Sequence, residues 1–271
     1  MEWSKMKNMI LMILVVTNLI LLAFVLHRQY QTNRMQEQAR SQAILFLAER
    51  GVRVEEDVVP ARISLQPQTA QRDLEQEGAA AARLLGEGIE VEARGAEVYR
   101  YSNDKGSIQF HSDGSFLANF TAGAFPVGED PEADCLKVLE LIGFDGELVE
   151  ALNQELVFCQ TWEGVPLFNS QVSLLYADGA LVAMTNGRRL TGQPVQDTFR
   201  STVSVSTALV SFLNGMNALG DVCSRIDSIT EGYVTAVPLS GPMTLTPVWR
   251  IITDTGSYQM DLETGELSRL S

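Results

Sequence analysis

Near its N-terminus the chain has a predominantly apolar run, Met9–Leu26, that contains no charged residue. As a helix these 18 residues would extend about 27 Å, close to the roughly 30 Å hydrocarbon core of a bilayer. Lys5 and Lys7 precede the run and Arg28 follows it. Trp3 stands where an amphipathic ring anchors at the membrane interface. Since no small-x-small cleavage pattern follows the run, the sequence predicts an uncleaved single-pass anchor rather than a signal peptide.

The orientation of this anchor does not follow from its flanking charges. Lysine and arginine occur on both sides in similar number, so the positive-inside rule favours neither orientation. Long domains, however, translocate largely regardless of charge, and short basic tails usually stay inside. We therefore expect residues 1–8 to be a cytoplasmic tail and residues 9–26 to span the cell membrane. The large C-terminal domain is then expected to be extracytoplasmic.

Charge also limits the partners of the domain. The chain has a formal net charge of −14. Residues 1–28 contribute +2, which leaves −16 for the rest. A domain this acidic is repelled by nucleic acid, so no nucleic-acid partner is expected.

Three cysteines, Cys135, Cys159 and Cys223, lie beyond the anchor. Their number is odd, their spacing is wide and no C-x-x-C occurs, so neither a disulfide framework nor a zinc site is indicated. Two arrangements remain open: one disulfide with a free thiol, or three reduced cysteines.

The rest of the chain predicts an α+β fold in which the anchor leads into two packed lobes. Residues 27–51 are predicted to be a juxtamembrane stalk helix, with an apolar stripe that includes Ala43 and Leu47 and a C-cap at Gly51. Residues 52–124 are assigned to an N-terminal α+β lobe. Residues 125–271 are assigned to a C-terminal α+β lobe in which a helix followed by an antiparallel β-meander occurs twice.

Turn and periodicity signals place the individual elements of these lobes. The predicted helices are 73–85, 131–141 and 205–219. The predicted strands are 98–101, 107–111, 116–120, 156–162, 168–176, 181–186, 226–237, 244–253 and 257–262.

The sequence contains few residues or motifs that could carry catalysis. The chain has two histidines, of which His27 borders the membrane and His111 borders a turn. The sequence contains no nucleophile elbow, Walker A loop, H-E-x-x-H or dinucleotide fingerprint. We therefore expect no enzyme activity, cofactor or metal. One alternative stays open, an anchored hydrolase whose paired carboxylates lie far apart in the chain.

Thr17 and Asn18 stand near the middle of the predicted span. A carboxamide that faces lipid is costly, and asparagine side chains join membrane helices through hydrogen bonds of about 0.6–2 kcal/mol. The two residues are therefore candidates for contact with another membrane protein. The alternative is a single polar residue that the bilayer tolerates.

Three short motifs resemble the YycI family of regulatory proteins, relatives of YycH. The resemblance covers the whole layout of the chain. The motifs are Met1-Glu2-Trp3-Ser4-Lys5-Met6-Lys7 at the start, Gly51-Val52-Arg53-Val54 with Val59-Pro60 after the stalk, and Pro247-Val248-Trp249-Arg250-Ile251 near the end. Glu2 departs from the aspartate that is more common there.

This resemblance implies an accessory protein of the WalK–WalR (YycG–YycF) cell-wall two-component system. It implies a sensor histidine kinase and a YycH-type single-pass regulator as partners, within a homo- or heterodimer, and it brings no catalytic residues. The sequence-based prediction is a non-catalytic membrane regulator of that kinase. The alternative is an extracytoplasmic binding or protease-inhibitory module that resembles PepSY domains.

Overall fold

A single long helix joins the predicted span to a mixed α+β domain. The computed structural model describes residues 2–238 and 241–270, with side chains from residue 6 onward. Within these residues four helices occur. Their bounds are α1 Glu2–Glu49, α2 Leu74–Leu85, α3 Pro131–Leu141 and α4 Val205–Leu219. The predicted α+β class is confirmed.

The strands of the described chain number fifteen. Their bounds are β1 Arg53–Val54, β2 Gln68–Ala70, β3 Glu90–Ala93, β4 Tyr99–Asn103, β5 Gly106–Phe110, β6 Ser115–Phe120, β7 Gly146–Leu152, β8 Glu155–Trp162, β9 Val165–Ala177, β10 Ala180–Arg188, β11 Pro194–Gln196, β12 Arg225–Ala236, β13 Met243–Thr253, β14 Ser257–Asp261 and β15 Leu267–Leu270.

The helices begin and end where their capping residues predict. Asp73 accepts hydrogen bonds from the second and third backbone N–H groups of α2, and Asp130 does the same for one N–H of α3. Ser204 caps α4. Such side chains satisfy N–H groups that have no partner inside the helix. At the end of α1, Gly51 adopts φ +89°, a conformation that strongly favours glycine.

The strands form two sheets that meet at β9. The first sheet is antiparallel throughout, in the order β3-β4-β5-β6-β10-β9-β8-β7. The second has the order β11-β2-β13-β12; β14 and β15 extend from β13, and β1 pairs with β12. The sheets join where β9 and β12 run parallel at Leu167 and Tyr233.

Each sheet has its own apolar core. Helices α2 and α3 cover the first sheet, and the core between them includes Leu84, Phe110 and Leu139. The second core lies between its sheet and two helices, α4 and the end of α1. A smaller cluster around Tyr233 lies at the joint. A helix packed on an antiparallel sheet thus occurs twice, as the sequence predicts.

The buried clusters group the chain differently from the predicted lobe ranges. Members of the first core run from Ala80 to Met184 and so fall on both sides of the predicted boundary between residues 124 and 125. The second core draws on the stalk, on Val52 and Val59 of the connector that follows it, and on residues beyond 204. The ranges 52–124 and 125–271, taken as folding units, stay predictions.

Candidate functional site

The apolar N-terminal half of α1 is the first part of the candidate site. One helix of the described chain is long and apolar enough to cross a membrane, and none of its most apolar 18-residue window is buried in the protein. By length and composition it suits a membrane anchor or a signal sequence. The same helix continues without a break into the domain: α1 is one helix of 48 residues.

The two polar residues of the span bond to their own helix. Thr17 Oγ1 donates to the Ile13 carbonyl at 2.9 Å, and Asn18 Nδ2 donates to the Leu14 carbonyl at 2.9 Å. In an apolar medium such a bond pairs a polar group that would otherwise be unsatisfied. A carboxamide has two donors and one acceptor oxygen. Asn18 can therefore keep its bond to Leu14 and still offer one N–H and the oxygen to a second helix.

The predicted interface anchors flank this segment. Lys7 and Arg28 lie on α1 with their side chains exposed. The side chains of Trp3 and Lys5 lie outside the described residues. The anchoring role of all four stays a prediction.

The second part of the candidate site is the junction where α1 enters the domain. Ala43 and Leu47 are buried in the second core, as the predicted stripe requires, whereas Ala48, which the same spacing also assigns to the stripe, is exposed. Val52 N–H bonds back to the Leu47 carbonyl at 3.0 Å after the turn at Gly51. This part of the helix is therefore an integral element of the domain.

Arg40, which is not among the predicted site residues, fixes the junction. Only 7% of its side chain is exposed. Its Nη1 lies 2.8 Å from Glu37 Oε1 and 3.4 Å from Glu56 Oε1, and its Nη2 donates to the carbonyls of Glu56 and Val59, the latter at 3.0 Å. The guanidinium thus ties α1 to the connector that follows it. An arginine inside an alanine- and leucine-rich stripe was the signal that could have identified it.

Helices α1 and α4 pack side by side and point the same way. A cleft of about 590 Å³ separates the start of α4 from the part of α1 between Gln29 and Ala39. A second cleft of about 310 Å³ lies between the end of α4 and Phe46 and Arg50. The N-terminal end of α4 is therefore the end nearer the predicted membrane-spanning segment.

Cys223 lines the second of these clefts. Its side chain is half-buried, and burial raises the pKa of its thiol to about 11. Cys135 and Cys159 are buried, and all three cysteines are free in the described chain.

Polar groups elsewhere take structural positions. His111 shares a 2.8 Å hydrogen bond with Gln109 beside a turn. In the acidic segment before α3, Asp130 caps the helix, and Asp134 accepts from Gly128 N–H at 2.8 Å and from Lys137 at 2.9 Å. Among the described residues no three metal-ligating side chains converge.

No family model matches the chain, and no curated protein matches it significantly. Two solved structures are similar to it at 12% identity. An uncharacterized protein from Eubacterium rectale ATCC 33656 covers 82% of this chain and 91% of its own, with a TM-score of 0.42. The Bacillus megaterium YpeB C-terminal domain covers 75% of this chain and 99% of its own, with a TM-score of 0.38. Likenesses this weak carry no functional conclusion, and the YycI resemblance stays a prediction.

Proposed function

We propose that this chain is a non-catalytic, membrane-anchored regulator of a cell-envelope sensor histidine kinase. It acts through contacts of its membrane helix and of its domain, and a YycH-type single-pass protein is the expected second partner. The continuity of α1, from the apolar run into the second core, carries this proposal. A helix fixed to the domain by Arg40 cannot rotate or tilt without moving the domain with it.

Regulation of this kind needs no chemistry on the part of the regulator. A kinase that alternates between two signalling states shifts toward the state that the regulator binds more tightly. An interhelical hydrogen bond from Asn18, worth about 0.6–2 kcal/mol, would change the ratio of the two states by about 3- to 30-fold. A ligand that binds the domain would change the position of α1 and so supply an input.

The test is reconstitution of the full-length chain with the WalK-type kinase that the resemblance implies. Autophosphorylation is measured with and without the regulator in the same vesicles. Asn18→Leu is expected to reduce the regulator's effect by about 3- to 30-fold, because the interhelical bond is lost while the helix stays apolar. Asn33→Leu makes the same change on the exposed stalk and is expected to have no effect. An unaltered effect with Asn18→Leu would contradict the proposed contact.

The second candidate is an extracytoplasmic binding or protease-inhibitory module, related in layout to PepSY domains. The helix-on-sheet arrangement of both cores favours it. If the chain has this second function, Asn18→Leu should leave its activity unchanged. The full-length chain in detergent should then bind or inhibit its target through the domain. The effect of this one substitution therefore distinguishes the two candidate functions.

A further inference from the structure

Phe199 is an exposed aromatic residue on a well-fixed loop. Its exposed fraction is 98%, the highest among the exposed large apolar side chains of the described chain. The loop joins β11 to α4, and Val195 on β11, four residues earlier, is 65% exposed. Isolated exposed apolar side chains need no explanation. Phe199 differs from such residues in its place in the fold and in the hydrogen bonds that hold its backbone.

Hydrogen bonds hold the loop on both sides of Phe199. Asp197 N–H bonds to the Pro67 carbonyl at 2.9 Å, and Phe199 N–H bonds to Asp197 Oδ1 at 3.0 Å. On the other side, Arg200 forms a bidentate ion pair with Glu263, with Nε 2.8 Å from Oε2 and Nη2 2.5 Å from Oε1. The backbone is therefore held in place while the phenyl ring is presented to its surroundings.

The loop lies at the end of the domain that α1 joins to the membrane. It leads into the N-terminal end of α4, which shares a cleft with the part of α1 between Gln29 and Ala39. These α1 residues lie about 5–20 Å beyond Leu26 along the helix axis. The polar interface of a bilayer adds roughly 5–8 Å on each side of the hydrocarbon core. Ser204 is five positions after Phe199 in the chain, which places the two residues at most about 17 Å apart.

We infer that Phe199 docks the domain on the membrane by inserting its ring into the lipid interface. This inference rests on the anchoring part of the proposed function, and it holds for either orientation of the span. An aromatic side chain suits the interface because a large apolar surface leaves water there. The domain's acidic charge disfavours anionic headgroups, so the apolar ring, rather than charge, provides the attraction. Val195 is the nearest additional apolar contact.

Docking in this way would limit the tilt of the domain about its stalk. The stalk from Arg28 to Gln38 is exposed on all sides, so by itself it leaves the domain held at one point. A second point of contact at Phe199 would fix the domain against the bilayer, and through Arg40 it would fix the rotation of α1.

Spin-label depth measurement on the full-length protein in phosphatidylcholine vesicles tests this inference. All variants carry Cys223→Ser, and one label is placed by Thr198→Cys. Leu22→Cys in the span gives the lipid reference. Leu45→Cys, which is 64% exposed and about 28 Å along α1 beyond Leu26, gives the water reference. The measured quantity is the ratio of accessibility to oxygen over accessibility to a water-soluble nickel complex.

With Phe199 present, the ratio at position 198 is expected to lie above the ratio at position 45 and below the ratio at position 22, as for a group in the interface. It should be the same at low and high salt, and Phe199→Ser should return it to the water value. A ratio at position 198 equal to the water reference, together with a lipid-like ratio at position 22, would overturn the docking and leave the anchor intact. A lipid reading at 198 that survives Phe199→Ser would overturn the role of Phe199. A water reading at position 22 would instead overturn the anchor itself.

Discussion

Arg40 is a charged side chain at a position where the helix otherwise buries alanine and leucine. Its replacement by methionine keeps the apolar stem but leaves the carbonyls of Glu56 and Val59 without their donor. Because a buried acceptor that loses its partner costs about 1–3 kcal/mol, the free energy of unfolding should fall by about 2 kcal/mol or more. Urea unfolding of the full-length protein in detergent measures this.

Arg34→Met is the matched control for that experiment, since Arg34 lies on the same helix with its side chain exposed. Its effect on the free energy of unfolding should stay within about 0.5 kcal/mol. Equal losses for the two variants would mean that the contacts of Arg40 do not fix the junction.

Cys223 provides a pH-dependent test of the cleft between the end of α4 and α1. Burial, with a contribution from the nearby Asp254 carboxylate, raises the pKa of its thiol from 9.0 to about 11. Since the thiolate is the reactive form, alkylation at pH 8 should be about 100-fold slower than for an ordinary thiol. The rate should rise with pH until about 11. Mass spectrometry after iodoacetamide treatment measures the rate, and a rate equal to that of free cysteine at pH 8 would contradict this cleft.

At the scale of elements, sequence periodicity and turn residues predicted most of the fold. Helix α3 begins and ends where the sequence predicts, because Asp130 and Pro131 mark its start. The Asp178-Gly179 turn was equally recognisable, since both residues adopt positive φ. Strands β1, β2, β3, β7, β11 and β15 were not predicted. Of these, β3 and β7 each carry two glutamates and lie at sheet edges, where one side of the strand faces solvent, so neither shows clear apolar alternation.

The candidate site was predictable only in part. Thr17 and Asn18 stand out because polar residues are rare in an apolar span. Their bonds to the carbonyls four residues earlier follow from helix geometry. The role of Arg40 depends on the connector that folds back over it, sixteen and nineteen residues later in the chain. Contacts between segments that far apart leave no local pattern in a single sequence.

The continuity of α1 leads to a prediction at the same scale. Thr32→Pro in the exposed stalk removes one backbone hydrogen bond and kinks the helix. The domain's unfolding temperature should change by less than about 2 °C, because the substitution lies outside both cores. Regulation of the kinase in vesicles should nevertheless be lost. Thr32→Ala, which keeps the helix, should retain regulation, and full regulation by Thr32→Pro would show that continuity is not required.

At the scale of the whole molecule, Asn169 adds side-chain hydrogen bonds between the two sheets, next to the β9–β12 pairing at Leu167 and Tyr233. Asn169 Nδ2 donates to the Thr235 carbonyl at 2.7 Å, and its Oδ1 accepts from Thr235 N–H at 2.8 Å. The side chain thus takes the place of a neighbouring strand where β9 and β12 separate. It supplies polar contacts at a joint whose apolar cluster is small.

Asn169→Ala should therefore separate the unfolding of the two cores. The parent and the variant both carry Trp3→Phe and Trp162→Phe, so that fluorescence comes from Trp249 alone. Trp249 is fully buried in the second core and reports that core, whereas far-UV circular dichroism reports both. The two midpoints should coincide in the parent and diverge in the variant, since coincidence of probes marks a single cooperative transition. Asn119→Ala, at an exposed site on β6, should leave them coincident. Coincident midpoints in Asn169→Ala would contradict the coupling role of this side chain.

The most direct test of a membrane-embedded regulator is crosslinking in living cells from a photoreactive residue at position 18. A matched probe at Ile20 lies on the opposite side of the helix, since successive residues are about 100° apart. Capture of a histidine kinase or a second single-pass regulator from position 18, and not from position 20, is the expected result. Capture of neither from a protein that is present and inserted would contradict regulation through the span.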